Sequence, residues 1–500
     1  MSKIRAALLF PALASALVAC RARPAVPGPV RISTGSDASL RAFIDSLADA
    51  PQFSNAHWGI LIVDPERGDT LYSRNAGKLF MPASNMKILT TATALAQLGP
   101  DFRYHTYFVA RGPVVEGALD GDLLVIGRGD PSVSDHMLHD AMLPLRGIAD
   151  SLAAKGIRRI RGRVVAAGNA FPGEVLGFGW SYDDFEDSYS APIDELLFNE
   201  GFSALHVHGG AKPGDSVRVE VRPADSYPRV RVAATTIAAV PGDTAHARGR
   251  ALRARKDSTT WDVILEGEIA AGDSAVIEVT HHDPDVAYVA AFSEALRDKG
   301  IVVEDSAADS TVSRTDTLAT LTSPPLSDIL KALLKPSQNQ IAEMLFRTLA
   351  LEKTGAGRSD SARAIVERQI ATWGVSVPAE AVVRDGSGLA RYDYISPQTV
   401  VRILDAVRRS AHFPIYYDAL PIAGVDGTIG NRMKGTPAQG NVHAKTGTVA
   451  QARSLSGYVT TADHHMLIFS FLCNNFTVPN RVVESVQDAI AERLAAMRVR

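Results

Sequence analysis

Ser84 and Lys87 lie three residues apart in the stretch Met81-Pro82-Ala83-Ser84-Asn85-Met86-Lys87-Ile88-Leu89. On a helix, side chains at i and i+3 share a face, so the hydroxyl and the amine can touch. A serine is a weak nucleophile until a base takes its proton, and a lysine is such a base only when uncharged. Ser-x-x-Lys arises about twice by chance in a chain of this size, so alone it reads as a capping Ser beside a solvated Lys. Two further patterns change that reading: Ser337-Gln338-Asn339 and Lys445-Thr446-Gly447-Thr448. Ser-x-Asn is expected about once or twice by chance and Lys-Thr-Gly about once in ten chains. Their order and settings carry the weight: a helix N-terminus, a loop that starts a helix, and a strand. Together they supply a nucleophile, a base, a second hydroxyl, an amide and a second ammonium.

The base needs the most help. A free lysine titrates near 10.4, and lowering that by about three units costs about 4 kcal/mol of differential solvation and charge interaction. Burial of Lys87 and the nearby charge of Lys445 both act in that direction. The positive end of the helix also favours a serine alkoxide and disfavours a protonated Lys87.

The elements that must position these groups follow from pattern. Pro82 suits a first helical turn and Gly99-Pro100 a helix end, which predicts one helix carrying Ser84 and Lys87. A helix is expected over about Ser39 to Ala48, then a hairpin of Trp58–Val63 and Thr70–Ser73 around the turn Asp64–Asp69. From about Phe102 to Thr322 the texture is short strands, Gly turns and β-branched alternation, most strand-like from Ala204 to Val279, with a helix from Val286 to Lys299. Helices return from Leu326 to about Arg409. A meander from Val442 to Leu472 and a helix from Arg481 to Met497 finish the chain. The simplest architecture is one core built from both ends of the chain around β-rich insertions.

Five hundred residues imply two to four domains. The net charge of −3 and the lack of any basic stripe argue against a nucleic-acid partner. Residues 1–20 have a basic start at Lys3 and Arg5 and an apolar run from Ala6 to Ala19, the pattern of a secretion signal. Its end, Leu17-Val18-Ala19-Cys20, resembles a bacterial lipoprotein box, implying lipidation of Cys20. Arg21 in place of Asp implies an outer-membrane rather than inner-membrane anchor, in a periplasmic setting. Residues 21–35, with Pro24, Pro27 and Pro29, read as a tether. The other cysteine, Cys473, reads as a buried strand thiol.

The trio of motifs resembles the signature of penicillin-binding proteins and serine β-lactamases. More closely, the chain resembles the class C low-molecular-mass penicillin-binding proteins, D-alanyl-D-alanine carboxypeptidases/endopeptidases of peptidase family S13. The long interval between Ser84 and Ser337 carries this resemblance, since β-lactamases have a much shorter one. So do Gly127–Ser132, Gly179–Asp184 with Ser190-Ala191-Pro192, Asp385-Gly386-Ser387-Gly388-Leu389-Ala390-Arg391 and Leu420–Thr428. It covers about Leu40 to the C-terminus. Gln338, where many relatives have Asp, and Ala390, where Ser is frequent, depart from the pattern without removing a catalytic side chain.

The resemblance implies an α/β (α+β) fold: a serine β-lactamase/DD-peptidase-like transpeptidase core, an antiparallel sheet flanked by helices, with β-rich inserted domains. It implies a core of 36–103 and 323–500, an inserted domain of 104–203 and 280–322, and a nested β-rich domain of 204–279. Ser84 is then the nucleophile, Lys87 the base, and Ser337, between Lys87 and Lys445, the proton relay to the leaving nitrogen. Asn339 is expected to bond the substrate's acyl-side amide. Thr446 and Thr448 would hold a terminal carboxylate beside Lys445, with Gly447 between them. Backbone N–H groups of Ser84 and Thr448 would form the oxyanion hole. Recognition of a free amine on the peptide's third residue is expected near Trp180, Asp183 and Asp184, with the choice between the two acids open. The implied partners are peptidoglycan peptides, β-lactam antibiotics as acylating inhibitors, and a membrane through the N-terminal lipid.

No cofactor is implied. The pairs His206/His208, His136/His139 and His281/His282 with Asp283 lack a third ligand at usual zinc spacing, so no metal site is expected. The competing readings are a serine β-lactamase, which would need fast deacylation, and a non-enzymatic envelope scaffold or β-lactam sensor.

Overall fold

The computed structural model describes residues 37–239, 251–306 and 315–499. The expected signal (1–20), Cys20 and the tether (21–35) lie outside the described residues.

The core sheet joins the two ends of the chain. Its five strands run in the order Asp69–Arg74, His57–Asp64, Met466–Asn474, Ala452–Thr460, His443–Val449, every pair antiparallel. Val, Ile, Leu and aromatic residues dominate His57–Asp64 and Met466–Asn474, and the sheet's apolar side chains alternate between two buried faces as a period of two requires. Tyr458, Ile468 and Leu472 face one core with Leu89, Leu330, Leu345 and Leu404. Ile60, Phe469 and Phe471 face the other with Leu40, Ile44, Val483, Ile490 and Leu494. The helices Asp37–Ala48 and Asn480–Ala496 therefore cover one side, and Met86–Leu98, Leu326–Leu334, Asn339–Thr354 and Pro397–Arg408 the other. A sheet with both faces apolar needs such a cover on each. Cys473 is fully buried on the strand Met466–Asn474.

The chain leaves this core after Leu98. His105–Arg111 and Thr315–Thr322 then pair side by side, within a four-stranded sheet completed by Asp122–Ile126 and Val164–Ala167. The helices Met142–Ala154 and Pro284–Asp298 pack with it around Phe108, Leu145, Leu152 and Phe292. The first of these helices interrupts the short-strand texture read from the sequence. Leu145, Ile148, Ala149 and Leu152 give it a helical stripe, and Pro144 is tolerated because it falls in the first turn. Among the described residues between Phe202 and Thr280, three small sheets enclose a separate apolar cluster around Leu205, Val207, Leu265 and Ile269.

Gly59, on the inner strand His57–Asp64, marks how tightly the sheet is covered. A Cβ there would overlap the Phe80 ring and stand 2.9 Å from Pro397 Cγ. Gly59→Ala is expected to cost about 1–3 kcal/mol by overpacking, read as a lower midpoint of denaturant unfolding with unchanged slope. An unchanged midpoint would mean that this face is loosely packed.

Candidate active site

Ser84 does not sit in the α-helix itself. It lies in a 3-10 turn, Ala83–Asn85, from which the helix Met86–Leu98 departs. The turn is tight because two backbones crowd it. Gly388 has a φ of +82°, and a Cβ on it would stand 2.8 Å from Met86 Cβ. A Cβ on Gly447 would stand 2.6 Å from Pro82 O and 3.1 Å from Ser84 N. Only glycine allows so close an approach at either position. The strand carrying the Lys-Thr-Gly motif is thereby laid against the backbone N–H of Ser84.

Lys87 Nζ is 2.9 Å from Ser84 Oγ, 2.6 Å from Asn339 Oδ1 and 2.8 Å from the Ser387 carbonyl oxygen. The side chain is fully buried. Loss of hydration drives its pKa down to about 7, against the opposing pull of the Asp385 and Glu343 charges. Lys445 is also fully buried and held well below the usual lysine range, by desolvation first and then by the charge of Lys87. Its ammonium donates to Ser337 Oγ at 2.7 Å and to the Thr446 carbonyl at 2.8 Å. Ser337 itself takes a left-handed backbone, φ +70°, at the turn entering the helix Asn339–Thr354. The partner its hydroxyl holds is Lys445, whereas Lys87 is occupied by Ser84, Asn339 and Ser387. Gln338, one of the departures from the family pattern, caps that helix by accepting the Gln340 N–H at 2.7 Å.

Asn339 is turned inward at both ends. Its Oδ1 accepts from Lys87, and its Nδ2 donates to the Tyr189 carbonyl at 2.8 Å. Thr446 Oγ1 donates to Thr428 Oγ1 at 2.7 Å. Ser84, Ser337, Asn339, Thr446, Thr448, Asp183 and Asp184 line one cleft of about 770 Å³, together with Tyr189, Arg391 and Arg453. Asp183 is exposed on its wall, while Asp184 accepts the Tyr189 hydroxyl at 2.7 Å. Trp180 belongs to neither acid: its indole N–H donates to Asp385 at 3.0 Å.

Two buried acids escaped the reading of the sequence. Asp385 accepts the backbone N–H groups of Gly388 and Ala390 at 2.6 and 2.7 Å, closing the loop that presses on Ser84. Glu343 accepts those of Gly386 and Ser387 at 2.9 and 2.7 Å, which aims the Ser387 carbonyl at Lys87. Burial, then the Asp385 charge, pushes Glu343 up to about 8. A third acid, Asp393, is pushed well above its normal range by burial and then by Asp385. Glu343 follows Asn339 by four residues on one helix face, and a lone acid in Ile341-Ala342-Glu343-Met344-Leu345 was the available signal. Of the histidines considered as ligands, His281 is buried against Ser203 Oγ at 2.8 Å and stacked on Phe198.

The profile of the family described as the D-Ala-D-Ala carboxypeptidase 3 (S13) family matches residues 40–497. A D-alanyl-D-alanine carboxypeptidase of Actinomadura sp. (strain R39) is 34% identical over 472 residues, 91% of this chain and 84% of that protein. The D-alanyl-D-alanine carboxypeptidase DacB of Haemophilus influenzae is 26% identical over 444 residues, 85% of this chain and 87% of that one. Penicillin binding protein 4 (dacB) from the same organism superposes with a TM-score of 0.76 at 23% identity, covering 92% of this chain and 99% of that chain, a likeness of fold.

If the neutral amine acts as the base, acylation of Ser84 is expected to rise about tenfold per pH unit below about 7 and to level off above it. Asp385→Asn removes the charge that most favours the ammonium, so the rising limb should move to lower pH. A pH–rate profile of covalent labelling checks both. A limb that stays in place would show that Lys87 does not feel Asp385.

Proposed function

The chain belongs to the D-Ala-D-Ala carboxypeptidase 3 (S13) family, and on that premise we propose how its cleft carries out the reaction. The protein is a serine-type D-Ala-D-Ala carboxypeptidase, a hydrolase. Ser84 Oγ attacks the carbonyl of the penultimate D-alanine while Lys87 Nζ takes its proton. The oxyanion is held by backbone N–H groups of Ser84 and Thr448. Ser337, bonded to Lys445, passes its hydroxyl proton to the leaving D-alanine nitrogen as the C–N bond breaks and takes one from the Lys445 ammonium. Water then hydrolyses the Ser84 ester, its proton returning to Lys445 through Ser337 while Lys87 gives its proton back to Ser84 Oγ. The observation that carries this reading is the 2.9 Å contact between Ser84 Oγ and a Lys87 amine held near neutrality by burial.

Lys445, Thr446 and Thr448 bind the substrate's terminal carboxylate, whose negative charge favours the Lys445 ammonium against its burial and makes the contact charge-assisted. Asn339, already bonded on both sides, has a second N–H on Nδ2 to offer an acyl-side carbonyl. Asp183 receives the third residue's amine, because it is exposed on the cleft wall while Asp184 is engaged by Tyr189. Trp180 contributes by anchoring that wall to Asp385. Cross-linked peptidoglycan peptides are substrates of the same site, and β-lactams acylate Ser84. A structure of the H. influenzae relative, complexed with a β-lactam, shares the fold at a TM-score of 0.71 and 22% identity.

The same reading divides the chain into a core of 36–103 and 323–500 and insertions between them. The pairing of His105–Arg111 with Thr315–Thr322 supports a boundary there. It places the protein in the periplasm, held by lipid on Cys20. Among the described residues no helix is long and apolar enough to cross a membrane.

Release of D-alanine from a pentapeptide, with Ser84→Ala as control, is the deciding measurement. The variant is expected to lose both turnover and labelling by a fluorescent penicillin; labelling that persists would remove Ser84 from its role. Asp183→Ala should raise KM about tenfold for a peptide with the third-residue amine and leave its blocked counterpart unchanged, an effect of about 1.4 kcal/mol. Equal KM values for the two peptides in the parent protein would remove the acidic wall from recognition.

A further inference from the structure

The strands between Phe202 and Thr280 stand outside the cleft, yet they grip its wall. Glu278, on Ser274–Thr280, accepts the Ser188 hydroxyl at 2.5 Å. Lys256, on Arg253–Lys256, donates to the Thr280 hydroxyl and lies 5.4 Å above the Phe185 ring. It is partly buried and faces Glu186. Phe185, Glu186 and Ser188 belong to the segment 181–190, which carries Asp183 and Asp184.

The opposite side of this segment bonds the catalytic core through two consecutive carbonyls. Ser188 O accepts Gln340 Nε2 at 2.9 Å, and Tyr189 O accepts Asn339 Nδ2 at 2.8 Å. Asn339 Oδ1 then accepts Lys87 Nζ at 2.6 Å. A short path thus runs from Glu278 through Ser188, Tyr189 and Asn339 to the base. The segment has no long helix or ladder of its own, only the 3-10 turns Tyr182–Asp184 and Ser188–Ser190. Such a stretch keeps its place through contacts at its two sides. Catalytic groups tolerate displacements of only about 0.5 Å.

We infer that Glu278, Lys256 and Ser188 are positioning residues: the β-rich strands pin segment 181–190 against the helix Asn339–Thr354, fixing the carbonyl that orients Asn339 and the acidic wall of the cleft. This assignment rests on the reading of the cleft given above. It gives those strands a part in turnover, exerted through two residues of main chain.

The test uses the full chain and the variants Ser188→Ala, Glu278→Ala, their combination, Glu278→Gln and Lys256→Met. Three quantities are read: kcat and KM for D-alanine release from an amine-bearing peptide, the penicillin acylation rate, and the thermal midpoint. Ser188→Ala, Glu278→Ala and Lys256→Met are each expected to lower kcat/KM about fivefold and acylation about threefold, with the midpoint unchanged. The Ser188→Ala/Glu278→Ala pair should lose no more than either alone, because both cut one link. Glu278→Gln, which keeps an acceptor for Ser188, should restore both rates. Parent rates in the three variants, a multiplied loss in the pair, or a Gln variant as slow as the Ala variant would each overturn the assignment. A parent protein that releases no D-alanine would instead defeat the carboxypeptidase reading, and the acylation ratios would still decide the bridge.

Discussion

Two ammonium groups taken wholly out of water are the constraint on which the site depends. Burying a charge without a direct counterion is among the costliest things a fold can do, and a lysine meets that cost by giving up its proton. Here Lys87 is met by a hydroxyl, an amide oxygen and a main-chain carbonyl, acceptors that satisfy its hydrogens without supplying a full negative charge. The nearest carboxylates, Glu343 and Asp385, spend their oxygens on backbone N–H groups of the loop at Gly386–Ala390. Their charge is felt by Lys87 but does not cancel the effect of burial. Lys445, which meets Ser337, is lowered by its own burial first and then by the charge of Lys87.

Keeping this corner dry explains the packing around it. Gly388 and Gly447 let two main chains close on the turn bearing Ser84, and a single methyl at either would pry the strand or the loop away. Asp385 ties one of these walls to Trp180 on another. Reactive groups on a turn, a helix start and a strand end up within hydrogen-bond reach because the intervening space holds backbone rather than side chains.

Much of this could be read in the residues. The apolar hairpin, the terminal meander and the helices flanking them follow from periodicity, and the three motifs name the polar groups around the cleft. What periodicity could not give was the local geometry. Pro82 suits the first turn of an α-helix as well as a 3-10 turn, so the pattern alone did not separate the two settings for Ser84. The stripe Leu145–Leu152 was legible in principle but lay in surroundings dominated by short strands. Glu343 stands alone among apolar residues and Asp385 lies in a stretch shared with the family, but neither pattern shows that both carboxylates turn inward to hold the loop at Gly386–Ala390. No spacing encodes the direction of the Tyr189 hydroxyl, which engages Asp184 and leaves Asp183 exposed.

The core sheet also carries a consequence for the order of assembly. Trp58 pairs with Cys473 at its centre, while the pair His105 and Thr322 closes the large excursion between. A chain emerging from its N-terminus exposes the hairpin at His57–Arg74 long before the strand that completes it arrives. The excursion has both of its closing strands much earlier, along with an apolar cluster of its own. Domains tend to fold as units during synthesis. Biogenesis should therefore run from the outside inward, with an unfinished seam waiting for the last strands, so that hydrolytic competence appears only once the whole polypeptide has been delivered.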